Sequence, residues 1–311
     1  MTRRRSVDRQ HQAYLYAAAT IVLWSTVAAA FKLTLNYLQP AELLLYASLA
    51  SLAVLAALLI AAGRLRDYRA WSRGDVLRSA GLGFLNPFLY YLLLFAAYDR
   101  LPAQEAQPLN FTWPIVLVLL SAVVLGQRLR PASLIAMAVS FGGVLVIATR
   151  GEVLALRVTD GLGVALALAS TVVWAGYWLY GVKDHRDPLA RLALNFAFGG
   201  GFVALYAVIF TDLRPPPAAG LLGAAYVGLF EMGITFVLWL RALKLSRSTA
   251  QVGNLIYLTP FLSLLVIHAV VGEPLYPSTL LGLTLIVAGI LMQHYGEKLT
   301  GRPARSIRRP P

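Results

Sequence analysis

Long apolar runs separated by short polar segments make up most of the chain. A helix needs roughly 20 apolar residues to cross a bilayer core about 30 Å thick. The short gaps, several of which carry proline, glycine and charge, are typical of turns between neighbouring helices. The pattern therefore predicts ten transmembrane helices, at residues 13–31, 40–62, 77–98, 103–125, 132–149, 161–182, 189–210, 220–240, 250–271 and 277–295.

The composition agrees with this pattern and excludes several classes of protein. Of the 311 residues, 59% are hydrophobic and only 13% are charged, whereas soluble domains carry about 25% charged residues. The absence of cysteine excludes disulfide bonds and thiolate metal sites. Four histidines leave little for a metal centre, and we expect no cofactor. The chain is predicted to be an all-α polytopic membrane protein without a soluble domain.

The distribution of basic residues predicts the orientation in the membrane. With the N-terminus in the cytoplasm, the inner segments hold 22 of the 27 lysine and arginine residues, and the outer segments hold five. An excess of basic residues marks the cytoplasmic side, so both termini are predicted to lie there, with the protein in the cell (inner) membrane. Because the net charge of +13 comes from short loops and tails, the expected partner is the lipid bilayer and not nucleic acid.

Residue identities recur between the two halves of the chain. At a spacing of about 146 residues, with slips of a few residues, the identical pairs include Pro114 with Pro260, Gly143 with Gly289, Asn110 with Asn254, and Trp24 with Trp174, and Gln127 lies opposite Glu273. Each copy holds five predicted spans, and an odd number forces the second copy to insert with opposite topology. Inverted repeats of this kind recur in secondary transporters. The predicted organisation is a basic cytoplasmic tail at 1–12, repeats at 13–149 and 161–295, and a second basic cytoplasmic tail at 296–311.

Two related segments, LGQRLRPASLIAMAVSFGGVLVI and VGEPLYPSTLLGLTLIVAGILM, occupy corresponding places in the two halves. They resemble the two copies of the EamA-type repeat in the drug/metabolite transporter superfamily, and the resemblance extends from Ala13 to Tyr295. The first copy departs from the family pattern, because Gln127 stands where an acidic residue is usual. Within the superfamily the chain is most similar to the YddG-like branch. That resemblance implies a ten-helix exporter of aromatic amino acids and some other amphipathic compounds.

Prolines and amides within the predicted spans are candidates for a transport site. Pro114 and Pro260 fall near the middle of helices 4 and 9, where a proline removes a backbone donor and frees the carbonyl four residues earlier. Irregular backbone at membrane depth is tolerated where it faces protein or a wet cavity. The alternative is that the nearby amides only bridge neighbouring helices. The amides that offer donors and acceptors to a zwitterion are Gln107, Asn110, Gln251 and Asn254.

Aromatic residues form a second group of candidates. Stacked rings make walls for a planar apolar substrate, and the alternative is ordinary core packing or an interfacial belt. On helix 3 the rings recur along one helical face, at Phe84, Phe88, Tyr91, Phe95 and Tyr98. Further rings predicted to line the substrate site are Trp24, Trp113, Trp174, Tyr177 and Tyr257.

Glu231 is the outstanding ionisable residue within a predicted span, at the centre of GLLGAAYVGLFEMGITFVLWL. A carboxylate at mid-membrane costs roughly 2.5–3.5 kcal/mol on insertion scales, so such groups are usually neutral, paired or facing water. Its candidate roles are coupling transport to protons and binding the ammonium group of the substrate. The alternative is a protonated structural carboxyl that bonds to a neighbouring helix.

These features together predict a secondary transporter rather than an enzyme. We expect it to export small amphipathic metabolites, with aromatic amino acids first, by alternating access through a central cavity between the repeats. A transporter of a different metabolite or drug-like solute is the main alternative. An intramembrane enzyme fits less well, because the spans lack paired acids and an HExxH sequence. Both a monomer and a homodimer fit the sequence.

Overall fold

The computed structural model describes residues 2–125, 131–155, 158, 160–181, 184–213, 215–246 and 254–299, which contain helices and no β-strand. The helices are α1 (Thr2–Leu35), α2 (Pro40–Ala61), α3 (Arg73–Gly83), α4 (Tyr90–Arg100), α5 (Ala103–Asn110), α6 (Trp113–Leu125), α7 (Pro131–Ala148), α8 (Gly161–Gly181), α9 (Pro188–Phe210), α10 (Ala218–Phe230), α11 (Ile234–Leu245), α12 (Thr259–Val266) and α13 (Pro277–Leu299). Shorter helical turns lie at Arg64–Ala70, Phe84–Leu89, Val153–Ala155, Asn254–Leu258 and Ile267–Val271.

Ten apolar helical segments of the described chain coincide with the ten apolar runs of the sequence. Seven are long and apolar enough to cross a membrane: Arg9–Leu35, Pro40–Ala61, Arg73–Arg100, Ala103–Val124, Gly161–Gly181, Pro188–Phe210 and Ala218–Leu245. Three are shorter: Ser133–Ala148, Leu255–Val271 and Pro277–Gln293. The prediction of an all-helical polytopic membrane protein is therefore confirmed. The count of ten spans and the cytoplasmic position of both termini stay predictions.

Four of these segments, the third, fourth, eighth and ninth, change helical geometry along their length. The third bends where Asn86 adopts an extended backbone (φ −144°, ψ 118°) before a cis bond to Pro87. The eighth is interrupted between α10 and α11, where Gly233 has φ −113° and ψ −96°. The breaks are paired, because the third and eighth segments occupy corresponding places in the two halves, as do the fourth and ninth.

The two prolines predicted near the middle of helices 4 and 9 instead begin new helical segments. Pro114 is the second residue of α6, after the two-residue interruption that follows α5. Pro260 is the second residue of α12, after the 3-10 turn Asn254–Leu258. The first turn of a helix has no partner for its N–H groups, so the missing donor of a proline costs little there. Each proline thus starts a helix and does not kink one.

Helices of one half pack mainly against helices of the other half. The main partners are α1 with α10, α11 and α12, α2 with α9 and α10, α3 with α9, α4 with α8, α6 with α8, and α7 with α13. If each of the ten apolar segments is replaced by its counterpart in the other half, five segments away, the same set of contacting pairs results. The packing therefore has an internal two-fold relationship.

Glycines at the α7–α13 contact show the same relationship at atomic scale. A Cβ atom at Gly143 would collide with the carbonyl oxygen of Gly282, and one at Gly289 would collide with that of Ala136. Gly289 is the counterpart of Gly143 in the other half, and Ala136 is the counterpart of Gly282, so the second contact repeats the first. Both contacts need glycine because the two backbones touch.

Candidate functional site

Glu231 lies at the break between α10 and α11 and bonds to the other half of the chain. Its carboxylate oxygen Oε1 accepts a hydrogen bond of 3.0 Å from the hydroxyl of Tyr91 on α4. Tyr91 is fully buried, whereas Glu231 is partly exposed. Because this partner is a neutral phenol, the carboxylate still has capacity to accept bonds from a cationic group.

Rings from α4, α8 and α11 form a continuous cluster beside this bond, which we call the aromatic cluster: Tyr90, Tyr91, Trp174, Tyr177 and Phe236. The Tyr90 ring lies 4.6 Å from that of Tyr91 and stacks on Trp174, also at 4.6 Å. Trp174 in turn stacks on Tyr177 at 5.6 Å and lies 6.2 Å from Phe236. The structure thus brings together three of the predicted aromatic residues, Tyr91, Trp174 and Tyr177.

Trp24 joins the aromatic cluster from α1. Its ring lies 5.7 Å from Phe236, edge to face, and 5.9 Å from Trp239. Its indole nitrogen is buried and has no hydrogen-bond partner among the described residues. Phe236 therefore connects Trp24 with Trp174, although the sequence pattern did not single it out.

Asn110, the last residue of α5, bonds to two neighbours with its side-chain amide. Its Oδ1 accepts a hydrogen bond of 3.2 Å from the Tyr90 hydroxyl, and its Nδ2 donates one of 2.9 Å to Ser170 Oγ. One turn earlier, the side-chain oxygen of Gln107 is buried and has no such partner in the described part of the chain. Asn110 thus holds Tyr90 in the aromatic cluster, and Tyr90 and Ser170 are partners that the sequence pattern missed.

The remaining predicted site residues lie further along the fourth and ninth segments. Trp113 stacks on Trp178 at 6.4 Å, and Trp178 meets Trp174 edge to face at 5.9 Å. Tyr257 contacts Phe111 at 6.3 Å, beside the interruption between α5 and α6. Gln251 and the side chain of Asn254 lie outside the described residues, so their place in the substrate site stays a prediction.

The predicted aromatic face of helix 3 is divided by the bend at Asn86. Before and beside the bend, Phe84 and Phe88 pack against Phe202 of α9, and Phe84 is 42% exposed. After the bend, Tyr91, Phe95 and Tyr98 are buried. The prediction of one regular helical face is wrong, because the chain leaves helical geometry at Asn86, between Phe84 and Phe88.

Polar contacts close the predicted outer end of the helices. Both carboxylate oxygens of Glu273 accept backbone hydrogen bonds at the start of α5, from Ala103 (2.8 Å) and Gln104 (3.1 Å). Lys32 donates to the carbonyl oxygens of Tyr98 (2.8 Å) and Leu101 (2.9 Å). A cleft of about 310 Å³ lies here, lined in part by Lys32 and Glu273. We call this group of contacts the outer latch.

An ion pair between a buried carboxylate and an exposed guanidinium extends the outer latch. Arg150 Nε donates to Glu105 Oε1 at 2.7 Å, and the Glu105 side chain is fully buried. The guanidinium also lies 5.3 Å from the centre of the Tyr276 ring. The hydrogen bond from Arg150 to Glu105 raises the pKa of Arg150. This pair links α5 to the connection between the two halves.

The predicted inner end carries a second group of contacts centred on Asp184, whose side chain is 1% exposed. Arg186 pairs with it at 2.5 Å, and Arg78 and Arg191 lie at 3.7 and 3.9 Å. Burial raises the pKa of Asp184, but the hydrogen bonds and charge of Arg186 outweigh burial and bring that pKa down to about 2. Arg186 also donates to Ser79 Oγ at 2.9 Å, which ties this loop to α3.

Comparison with known proteins gives a consistent result over nearly the whole chain. The profile of the EamA-like transporter family matches residues 11–149 and, a second time, residues 161–293. A probable terminal-alkyne amino-acid exporter of Streptantibioticus cattleyicolor is 31% identical over 281 residues, covering 88% of this chain and 90% of the relative. The aromatic amino acid exporter YddG of Ancylobacter novellus is 29% identical over 212 residues, covering 67% and 72%.

Two further likenesses extend the comparison. An uncharacterized transporter of Bacillus subtilis, YvbV, is 26% identical over 91% of this chain and 92% of its own length. A solved crystal structure is similar with a TM-score of 0.65 at 24% identity, over 93% of this chain and 99% of the other. At that identity the structural likeness shows a shared fold and nothing about the solute.

Proposed function

Because the chain belongs to the EamA-like transporter family, we propose that it is a secondary transporter that exports aromatic amino acids. The family and its exporter relatives make it a membrane transporter and not an enzyme. The finer assignment, to aromatic amino acids, rests on the chemistry of the site.

The hydrogen bond between Tyr91 and Glu231, next to the aromatic cluster, is the observation that carries this proposal. An amino acid presents an ammonium group, and a carboxylate bonded only to a neutral phenol among the described residues is a suitable acceptor for it. The rings of Trp174 and Tyr90 supply flat apolar surface for an aromatic side chain. A proton and the substrate ammonium compete for the same carboxylate, so Glu231 could serve both roles only in turn.

Alternating access between two inverted repeats, 13–149 and 161–295, is the proposed mechanism. The double match to the family profile and the contact pattern that maps onto itself both support this division. We propose that the outer latch and the Asp184 contacts open in turn, and that the substrate cavity lies between them. The excess of basic residues in the inner loops supports cytoplasmic termini and an inner-membrane location.

A second candidate substrate is an amino acid with a short apolar side chain. The relative from Streptantibioticus cattleyicolor is named as an exporter of terminal-alkyne amino acids, and it matches more of this chain than the aromatic exporter does. The ammonium and carboxylate groups are common to both substrates. The two candidates therefore differ only in what the aromatic cluster binds.

Counterflow in proteoliposomes that contain only this chain distinguishes these candidates. Vesicles are loaded with unlabelled L-phenylalanine, L-tryptophan, L-norvaline or glucose, and the entry of labelled L-phenylalanine is followed. We expect the two aromatic amino acids to drive uptake at least about tenfold better than norvaline. If internal norvaline drives the entry of labelled L-phenylalanine equally well or better, the substrate assignment moves to short apolar amino acids. If no internal amino acid drives this entry, the proposed function is contradicted.

A further inference from the structure

The short 3-10 helix Arg64–Ala70, between α2 and α3, is attached to the protein through aromatic side chains. The Tyr68 hydroxyl donates a hydrogen bond of 2.9 Å to the carbonyl oxygen of Ala190 on α9, and its ring lies 4.8 Å from that of Trp71. The guanidinium of Arg186 lies 4.5 Å from the centre of the Trp71 ring. These contacts fix the orientation of the 3-10 helix against α9.

Two arginines lie on a different side of this 3-10 helix. With three residues per turn, side chains three positions apart lie one above the other. Arg66 and Arg69 therefore share a row that lies a third of a turn from Tyr68. Both are exposed, and neither has a hydrogen-bond or ion-pair partner among the described residues. The helix thus presents two unpaired positive charges to its surroundings.

A third such arginine begins α3, three residues after the 3-10 helix ends. Arg73 is exposed, and no residue in the described part of the chain bonds to its guanidinium. Leu77 and Phe84, four and eleven positions later, share its helical face and are 72% and 42% exposed. Because the segment Arg73–Arg100 is long and apolar enough to cross a membrane, we expect this face to contact lipid chains, with Arg73 at the level of the headgroups.

The acidic residues of this stretch are engaged with other groups. Asp67 pairs with Arg64 at 3.4 Å. The carboxylate of Asp75 accepts hydrogen bonds from the backbone N–H and the hydroxyl of Ser72, at 2.9 and 2.7 Å, and so caps α3. The three arginines that they leave unpaired, which we call the arginine patch, are Arg66, Arg69 and Arg73.

The arginine patch and the apolar face of α3 together fit an anionic phospholipid. Guanidinium groups match the geometry of phosphate oxygens, and clusters of basic residues beside a transmembrane helix attract anionic lipids. An acidic peptide or a free phosphate would match the charge but leave Leu77 and Phe84 uncovered. A phospholipid matches both features, because its phosphate lies at the headgroup level and its acyl chains extend along the helix.

We propose that Arg66, Arg69 and Arg73 bind the headgroup of an anionic phospholipid, whose acyl chain lies against Leu77 and Phe84. The site lies at the predicted inner end of the helices, so its ligand comes from the inner leaflet. This inference goes beyond the proposed function and does not depend on which solute is transported.

Native mass spectrometry of the purified full-length chain tests this preference. Dioleoyl phosphatidylglycerol is anionic and dioleoyl phosphatidylcholine is neutral, and both have the same acyl chains, so a difference in their apparent Kd reports the headgroup. Each arginine near an anionic lipid contributes about fivefold in affinity. We expect wild type to prefer phosphatidylglycerol at least about tenfold, and Arg66→Gln/Arg69→Gln/Arg73→Gln to reduce this preference to about twofold or less.

A matched control removes three positive charges elsewhere at the same predicted inner end. Arg9, Arg241 and Lys244 are exposed, and Arg9→Gln/Arg241→Gln/Lys244→Gln should keep the wild-type preference. Glycerol 3-phosphate carries the phosphate without acyl chains, so it should not displace phosphatidylglycerol from wild type even in large molar excess. Because all the substituted residues are exposed, both variants should keep the wild-type melting temperature, which checks their folding.

Three results would overturn the inference in distinguishable ways. If wild type binds the two lipids equally well, the arginine patch does not select an anionic lipid and is left for an acidic partner. If both triple variants lose the preference equally, it comes from the general charge of the inner end. If glycerol 3-phosphate displaces the lipid, the patch binds phosphate and not a phospholipid. None of these results affects the proposed transport of amino acids.

Discussion

The hydroxyl of Tyr91 on α4 donates a 3.0 Å hydrogen bond to the carboxylate of Glu231 at the break between α10 and α11. This bond connects the two halves of the chain next to the rings of the aromatic cluster. A substrate ammonium group that approaches Glu231 either adds to the bond or replaces it. If Glu231 binds the substrate ammonium as proposed, this bond links substrate binding to the relative position of the two halves.

Tyr91→Phe removes this bond and preserves the ring contacts with Tyr90 and Phe95. We expect the initial rate of L-phenylalanine counterflow to fall about threefold to tenfold, since a hydrogen bond to a charged group is lost. The matched control is Tyr226→Phe, which removes a phenol that bonds to Thr26 at 2.7 Å between α1 and α10. If the counterflow rate falls equally in the two variants, loss of any hydrogen bond between the halves slows transport, and the bond to Glu231 is not special.

Asn110→Ala tests the amide that holds Tyr90 in place. It removes the bonds to Tyr90 and Ser170, so we expect transport to fall about tenfold while the melting temperature in detergent drops by only a few degrees. Asn36→Ala, at an exposed turn, serves as the control. Normal transport by Asn110→Ala would make this amide a packing group.

Glu273→Gln tests the outer latch. Glutamine replaces one of the two carboxylate oxygens with an NH₂ group, which cannot accept the backbone N–H of Ala103 or Gln104, so the outer end should open more often. Because the chain has no cysteine, a cysteine introduced as Ala106→Cys on α5 is the only thiol that can be labelled. Ala106 is fully buried, so labelling at this position reports opening of the outer end. We expect an impermeant maleimide to label it about tenfold faster from outside in the Gln background.

Glu152, which is exposed and lies at the same predicted outer end, supplies the control for that experiment. Glu152→Gln removes the same charge from the same end of the molecule without touching α5. Labelling of Ala106→Cys should keep its wild-type rate in this background. An unchanged rate with Glu273→Gln would mean that the carboxylate caps α5 without restraining the outer end.

Asp184→Asn tests the inner contacts through pH. The folded pKa of Asp184, about 2, lies below its ordinary value of 3.8, so its ionised form stabilises the fold by about 2 kcal/mol at neutral pH. This contribution is complete above about pH 5 and disappears as the pH falls through the folded pKa. The melting temperature of Asp184→Asn should therefore be lower than that of wild type at pH 7.

The pH series and its control distinguish Asp184 from ordinary surface charge. The difference in melting temperature between wild type and Asp184→Asn should shrink as the pH falls from about 4 to about 2. Asp67→Asn breaks a more exposed pair with Arg64 at 3.4 Å, and it should cost less than about 1 kcal/mol. A difference that stays constant at all pH values would contradict the assigned pKa.

The helices were predictable from the sequence, and so was Glu231 as the outstanding ionisable residue within a span, because both leave strong local signals. Apolar runs of bilayer length mark the helices whatever their packing, and a single Glu231 in a long apolar run is costly unless it has a partner or a role. The partner itself was not predictable. Tyr91 lies 140 residues away, and only the packing of α4 against the second half brings its hydroxyl to the carboxylate.

The bend at Asn86 shows what the sequence pattern missed. The Asn-Pro dipeptide within an apolar run was the available signal for a break, but aromatic residues on both sides continued the helical spacing and concealed it. A face predicted from that spacing therefore runs straight through the bend.

Counterflow of L-phenylalanine by Glu231→Gln, measured from pH 5.5 to 8.5 in proteoliposomes, tests the central claim most directly. Glutamine keeps the shape and the acceptor for Tyr91 but has no titrating charge. If Glu231 binds the substrate ammonium or couples protons, transport should fall at least about tenfold and lose most of its dependence on pH. A wild-type rate with a wild-type pH profile would contradict the account and make Glu231 a structural carboxyl.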